Sequence, residues 1–251
     1  MDTVDKQSPI PIYYQLHKII LGRIERGLWP PQTQIPSERE LAEQFGVSRM
    51  TVRQALSALA RDGILSREIG RGTYVAEPRI TQRLSRVTGF SSDMRARGKR
   101  PGARVLSLAA KLASPYVAER LNVDPGKEIA VIERLRLADD EPMALEVSHV
   151  WFPGCVQLLQ EDISGSLYEL LAQRYGILPT RARQQISAGL SRKRECQMLG
   201  IRRRAPVLHL CRLTFDQNDR PFEYVESIYR GDKYIFDAEL VSVSQRDTDA
   251  S

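Results

Sequence analysis

The chain has little sulfur and little imidazole: three cysteines, Cys155, Cys196 and Cys211, and three histidines, His17, His149 and His209, are scattered singly through 251 residues. No C-x-x-C or paired-histidine spacing occurs, which argues against a disulfide framework and a zinc site, so neither metal nor cofactor is expected. No apolar run approaches the roughly 18 residues that would span a bilayer. The opening stretch MDTVDKQSPIP is acidic where a signal peptide is basic and then apolar, so a cytoplasmic protein without a membrane partner is expected.

What is present is 42% hydrophobic residues, ample for packed cores in two modest domains. The net charge of +6 is unevenly spread, with eight basic residues against one acid between positions 79 and 104. Such a stretch suits a polyanion through counterion release, or simply a solvated linker, and charge alone leaves both open.

Ile12, Leu16, Ile19, Ile20 and Ile24 recur at helical spacing, predicting a helix over 12–26 that GLWPP ends. Ser37 with Glu40 three residues on forms a capping box, opening a short helix that Gly46 closes. Ser48 is the N-cap of RMTVRQALSALARDG, whose Val52, Ala55, Leu56 and Leu59 face inward and which stops at Gly63. ILSRE and TYVAE flank the glycine turn IGRG as a hairpin. Three helices and a hairpin make a winged helix-turn-helix over residues 1–77. Residues 78–100 are polar, basic and weakly periodic, as in a linker.

From 101 to 251 a second, α+β domain is expected. ARVLSLAAKLAS, EIAVIERLRLA, PMALEVSHVWF, TRARQQISAGLS, PVLHLCRLTFD and PFEYVESIYRG read as strands, with helices near 114–121, 154–162, 166–175 and 192–199. The turns ADDEP and DQNDRP join antiparallel neighbours, and the tail SQRDTDAS reads as disordered.

In a helix-turn-helix the second helix lies in the major groove of double-stranded DNA. Its first turns here carry Ser48, Arg49, Thr51 and Arg53. Arginine grips guanine with two parallel hydrogen bonds, whereas hydroxyls mostly fix phosphates, so Arg49 is the leading base reader and Ser48 and Thr51 phosphate ligands. Arg39 opens the preceding helix, and Arg71 at the wing tip suits a narrow minor groove.

In the second domain, strand alternation sets Arg134 and Arg136 on one face and a short loop sets Arg134 opposite Glu146. The same period points Glu223 and Tyr229 one way, with Tyr224, Glu226 and Arg230 on the other face. VTGFSSDM and SGSLYELL place Gly89, Ser91, Ser92, Ser164 and Ser166 where helices start and offer unpaired N–H groups. Together these make a phosphate cradle beside carboxylates suited to sugar hydroxyls or an amine. Taken singly, capping serines and a cross-strand ion pair account for the same residues.

IPSERELAEQFGVSRMTVRQALSALARDGILSREIGRGTYV resembles the DNA-binding domain of GntR-family bacterial transcription regulators, over residues 10–76. The resemblance implies a homodimer on a pseudo-palindromic operator, with Arg39 and Arg49 reading guanines, Arg53 in support, and Gly70, Arg71 and Gly72 forming a wing at the minor groove. Residues 85–245 resemble the UTRA effector domain of the HutC subfamily, with a chorismate-lyase-like antiparallel sheet and helices; GFSSDM, ERLRLADDEPMALEVSHV, GSLYELL and RPFEYVESIYRGDKYIF carry the likeness. The pattern is most similar to repressors of N-acetylglucosamine use, which sense glucosamine-6-phosphate or N-acetylglucosamine-6-phosphate. That implies a phosphate held by Ser91, Ser92, Arg134, Ser166 and Tyr168 beside Phe90, and a sugar held by Arg136, Glu146, Glu223 and Tyr229. SHVWFPG departs from the pattern, leaving urocanate, a fatty acid or another phosphosugar as alternative ligands. An enzyme using Glu146 and Glu223 as an acid/base pair is the remaining alternative, and no nucleophile, metal set or nucleotide loop supports it.

Overall fold

The computed structural model describes residues 3–68 and 70–240, which divide into two compact units meeting between Arg79 and Ile80. The first unit runs α1 (Ile12–Glu25), α2 (Glu38–Phe45), α3 (Arg49–Arg61), β1 (Leu65–Glu68) and β2 (Gly72–Val75). Ser37 and Glu40 make the reciprocal capping box that opens α2, and Gly46 closes it in a left-handed conformation. Leu16 and Ile20 of α1, Leu41 of α2, and Val52, Ala55, Leu56 and Leu59 of α3 converge with Ile35, Leu65 and Val75 in one core. The β1–β2 hairpin pairs Leu65 with Val75 through Glu68 with Gly72. Residues 32–35 add along β2, where Ile35 N–H donates to Thr73 O and Val75 N–H to Thr33 O, both at 2.9 Å.

The second unit contains β3 (Ile80–Arg83), α4 (Phe90–Ala96), β4 (Pro101–Leu112), α5 (Pro115–Leu121), β5 (Glu128–Ala138), β6 (Glu141–Val150), α6 (Leu167–Tyr175), β7 (Arg181–Leu190), α7 (Lys193–Leu199), β8 (Pro206–Phe215), β9 (Pro221–Arg230) and β10 (Tyr234–Asp237). Six strands form an antiparallel sheet in the order β4-β5-β6-β9-β8-β7. Two aspartates, Asp139 and Asp140, both at positive φ, make the tight turn between β5 and β6. One face of the sheet packs on α5 through Val117, Ala118 and Leu121. The other packs on α6 and the turn before it through Leu158, Leu167 and Leu171.

Two features differ from the sequence reading. Residues 78–100 are not wholly linker: β3 pairs in parallel with β10, from Ile80 with Tyr234 to Asp237 with Arg83, and α4 buries Phe90 and Met94. Four of its basic side chains are tied down locally: Arg95 pairs with Glu169, Arg97 donates to Thr81 O at 2.7 Å, and Lys99 and Arg100 pair with Asp139 and Asp140. Cys155–Gln160 is a 3₁₀ rather than an α-helix. The tail 244–251, expected to be disordered, lies outside the described residues.

Leu56 is 1% exposed at the centre of the first core and Met50 is 67% exposed on the same helix. Leu56→Ala is expected to destabilise the first unit by about 2–5 kcal/mol, and Met50→Ala by less than about 0.5 kcal/mol. Denaturant unfolding of both variants checks this.

Candidate functional site

Two surfaces carry the residues that the sequence singles out. On the first, Ser48 caps α3: its hydroxyl accepts from Thr51 N–H at 3.1 Å and lies 2.8 Å from the Thr51 hydroxyl. Both hydroxyls are thus engaged with each other, so their first role is to fix the start of α3. Arg49 is exposed beside them. Arg39 is also exposed and lies 3.6 Å from Glu43 one turn on.

Arg53 is oriented by a partner that the sequence did not reveal. Its Nε and Nη2 donate to Glu38 at 3.0 and 2.8 Å, and Arg67 of β1 reaches the same carboxylate at 3.7 Å. The hydrogen bond from Arg53 holds the Glu38 carboxyl below its ordinary range. A single acid therefore ties α2, α3 and the wing strand together. At the wing tip, Gln34 Nε2 and Tyr74 OH both donate to Arg71 O at 3.1 Å. Gly70 and Gly72 adopt φ of +77° and +120°, and a Cβ on Gly72 would meet Gln34 Nε2 at 2.5 Å. Only glycine suits the second position.

The second surface is a cavity on the α6 face of the sheet, partly open to solvent. Arg134 and Arg136 enter from β5, Glu146 from β6, Arg212 from β8, and Glu223, Ser227 and Tyr229 from β9, with Phe90, Ser91, Ser166 and Tyr168 along the rim and wall. Charge at this depth needs partners. Arg134, 3% exposed, donates from Nε and Nη2 to Glu146 Oε1 at 3.1 and 2.5 Å and from Nη1 to Ile163 O at 3.2 Å. Arg136, 2% exposed, donates from Nη2 to Ser91 Oγ at 2.8 Å and lies 4.7 Å from the Phe90 ring centroid. Its Nε and Nη1 are buried without a hydrogen-bond partner, as are the hydroxyls of Ser148 and Ser227.

The carboxyls differ in electrostatic setting. Burial opposes ionisation of Glu146, but Arg134 and Arg136 outweigh it and hold its pKa below the usual carboxylate range. Burial, and then the Glu146 charge, push Glu223 up instead. Glu223 accepts from Tyr168 OH at 2.8 Å and from Thr214 Oγ1 at 3.3 Å. Burial, reinforced by Arg134, pulls Arg136 down to about 10. Tyr168 and Tyr229 are raised by burial and by the nearby Glu223 and Glu146, respectively, so both remain neutral donors.

Of the ten residues proposed for this site, nine line the cavity; Ser92 does not, being exposed with its hydroxyl donating to Gly89 O at 2.9 Å. Sequence reasoning missed Arg212, whose Nε donates to Gln184 at 2.7 Å and Nη1 to Thr88 O at 2.9 Å, and it missed Thr88, Gln82, Thr214 and Ser227. Alternation along β8, where Leu208, Leu210, Arg212 and Thr214 share a face, held the signal for two of them. Among the described residues no three His, Cys, Asp or Glu side chains converge as a metal site.

A carboxyl with a raised folded-state pKa stabilises the fold while protonated and loses that contribution as pH rises through the raised value. In denaturant titrations from about pH 4 upward, the wild-type second unit should lose stability relative to Glu223→Gln. A gap between the two that is constant with pH would contradict the assignment.

Two family models match the chain: bacterial regulatory proteins of the gntR family over residues 12–75, and the UTRA domain over residues 96–235. The HTH-type transcriptional repressor NagR of Bacillus subtilis is 43% identical over 234 residues, covering 93% of this chain and 96% of that protein. The histidine utilization repressor of Pseudomonas aeruginosa is 34% identical, covering 83% of each. The crystal structure of PhnF from Mycobacterium smegmatis superposes with a TM-score of 0.65 at 33% identity, over 92% of this chain and 99% of that one. With a winged helix in its first unit and an antiparallel sheet with helices in its second, the chain belongs to the GntR family of bacterial regulatory proteins with a UTRA domain, and is a DNA-binding transcriptional repressor rather than an enzyme.

Proposed function

We propose that the repressor acts in the cytoplasm as a homodimer on a pseudo-palindromic operator, and that its affinity is set by an amino-sugar phosphate bound in the UTRA cavity. The observation that carries this reading is the unpaired Nε and Nη1 of Arg136, buried beside two further arginines and two carboxylates. Unpaired guanidinium N–H groups in a cavity call for an anion. In this reading Ser91, Ser166, Tyr168 and Arg134 surround the phosphate, and Arg136, Glu146, Glu223 and Tyr229 the sugar. The raised Glu223 offers either a neutral carboxyl to an N-acetyl group or a carboxylate to an ammonium. Similarity to NagR over nearly the whole chain supports the same ligand class.

The ligand would act by favouring one arrangement of the two recognition helices over another, so that they no longer fit half-sites one helical turn apart. At the DNA end, Arg49 reads a guanine, Arg39 and Arg53 support it, Ser48 and Thr51 hold the helix start against a phosphate, and Gly70, Arg71 and Gly72 lie along the minor groove.

Fluorescence anisotropy of labelled operator tests both ends. Arg49→Ala should weaken operator binding by about 1–3 kcal/mol while sparing random duplex. Glucosamine-6-phosphate should release operator from the wild type. Arg136→Met, which breaks no ion pair, should raise the concentration needed by roughly 10- to 100-fold, the loss of a charged hydrogen bond. Unchanged operator affinity at saturating sugar phosphate would refute the ligand assignment.

A further inference from the structure

The segment between β7 and β8, a loop that includes α7, is strongly basic. Residues 191–205, SRKRECQMLGIRRRA, hold six cations against one acid, whereas the rest of the chain beyond residue 104 is acidic. Its ends are closed on each other: Ser191 N–H donates to Ala205 O at 2.9 Å, and Ser191 Oγ to Arg202 O at 3.3 Å. Arg192 and Lys193 are thereby brought beside Arg202, Arg203 and Arg204, and all five side chains are exposed. The one acid of the loop, Glu195, is buried and accepts from the Arg192 backbone N–H at 2.7 Å. Arg194 is paired with Glu133. Among the described residues the other five cations have no ion-pair partner.

Nearby acids do not supply one. At this end of the sheet Asp139 and Asp140 pair with Lys99 and Arg100, and Glu141 and Asp232 with Arg230. The excess of positive charge therefore stays in the loop. The chain also enters the unit at this end, where Ile80 N–H donates to Lys233 O at 2.7 Å immediately after β9.

We propose that Arg192, Lys193, Arg202, Arg203 and Arg204 form a second DNA-contact surface, on the effector unit itself, that grips duplex phosphates without reading sequence. Long, exposed cations on a closed loop match a backbone of fixed charge spacing, and neutralising phosphates releases counterions. A protein partner is the poorer fit, because charge as a whole is depleted from interface cores and this loop presents five exposed cations without an aromatic anchor. The proposal rests on DNA binding by the winged helix but is separable from it: discrimination between operator and random duplex reports on Arg49, and salt dependence reports on the loop.

The test uses the full-length chain and compares wild type with R202Q/R203Q/R204Q on a long operator fragment across a salt series. The variant is expected to retain its operator-to-random ratio while the slope of log affinity against log salt becomes shallower by about 2–3 per protomer, or roughly 5 for a dimer with both loops on the fragment, near 0.9 for each phosphate no longer neutralised. The control K127Q/R174Q/R220Q removes the same charge from exposed positions elsewhere on the unit and should leave the slope unchanged. An unchanged slope in the loop variant would overturn the proposal. So would an equal change in the control, or loss by the loop variant of an acidic protein partner with DNA binding intact.

Discussion

The register of β5 against β6 is the constraint on which the cavity depends. The Asp139–Asp140 turn starts it by pairing Ala138 with Glu141, and a bulge at Met143, between the Leu137–Pro142 and Arg136–Ala144 pairs, shifts it by one residue and so sets Arg134 directly across from Glu146. Because side chains alternate, a slip of one residue in β5 would send Arg134 and Arg136 to the opposite face, among the apolar contacts of α5, and part them from Glu146. β9 extends the same logic: Ser227 pairs with Glu146 and Tyr229 with Ala144, so Glu223, Ser227 and Tyr229 join the arginines on one face. The buried ion pair is costly in isolation, and three bonds from the Arg134 guanidinium are what make it tolerable.

That arrangement leaves the cavity incompletely satisfied. Arg134 is matched and Arg136 is not, and the two carboxyls are pushed in opposite directions. Under the proposed function such a site is preorganised for an anion bearing hydroxyl or amino groups, which would gain most where the site's own groups lack partners. Thr88 connects this chemistry to the segment entering from the winged helix. Its carbonyl accepts from Arg212, and its hydroxyl donates to Asp93 of α4 at 2.8 Å. Gln82 of β3 also lines the cavity.

Much of this was legible in the sequence because it is local. Capping at Ser37 and Ser48, the glycine stops, and the Arg134–Glu146 opposition all follow from spacings of a few residues. What was hidden depends on distance in the chain. The β3–β10 pair joins Ile80 to Tyr234, and neither four-residue strand carries a periodic signature. The Glu38–Arg53 clamp spans two helices, so the sequence shows Arg53 without its partner. Ser92 follows Ser91 in the first turn of α4, but successive helical residues are about 100° apart, so only Ser91 faces Arg136. Arg212 belongs to no motif, and only the alternation of β8 betrays it.

In the proposed function the cavity and the operator-reading face are energetically linked, and linkage is reciprocal. Calorimetric titration of glucosamine-6-phosphate into the free protein and into the operator-saturated protein measures it directly. The account predicts weaker sugar binding on the operator, by the same factor by which saturating sugar weakens operator binding. Equal affinity for the sugar in the two titrations would contradict it.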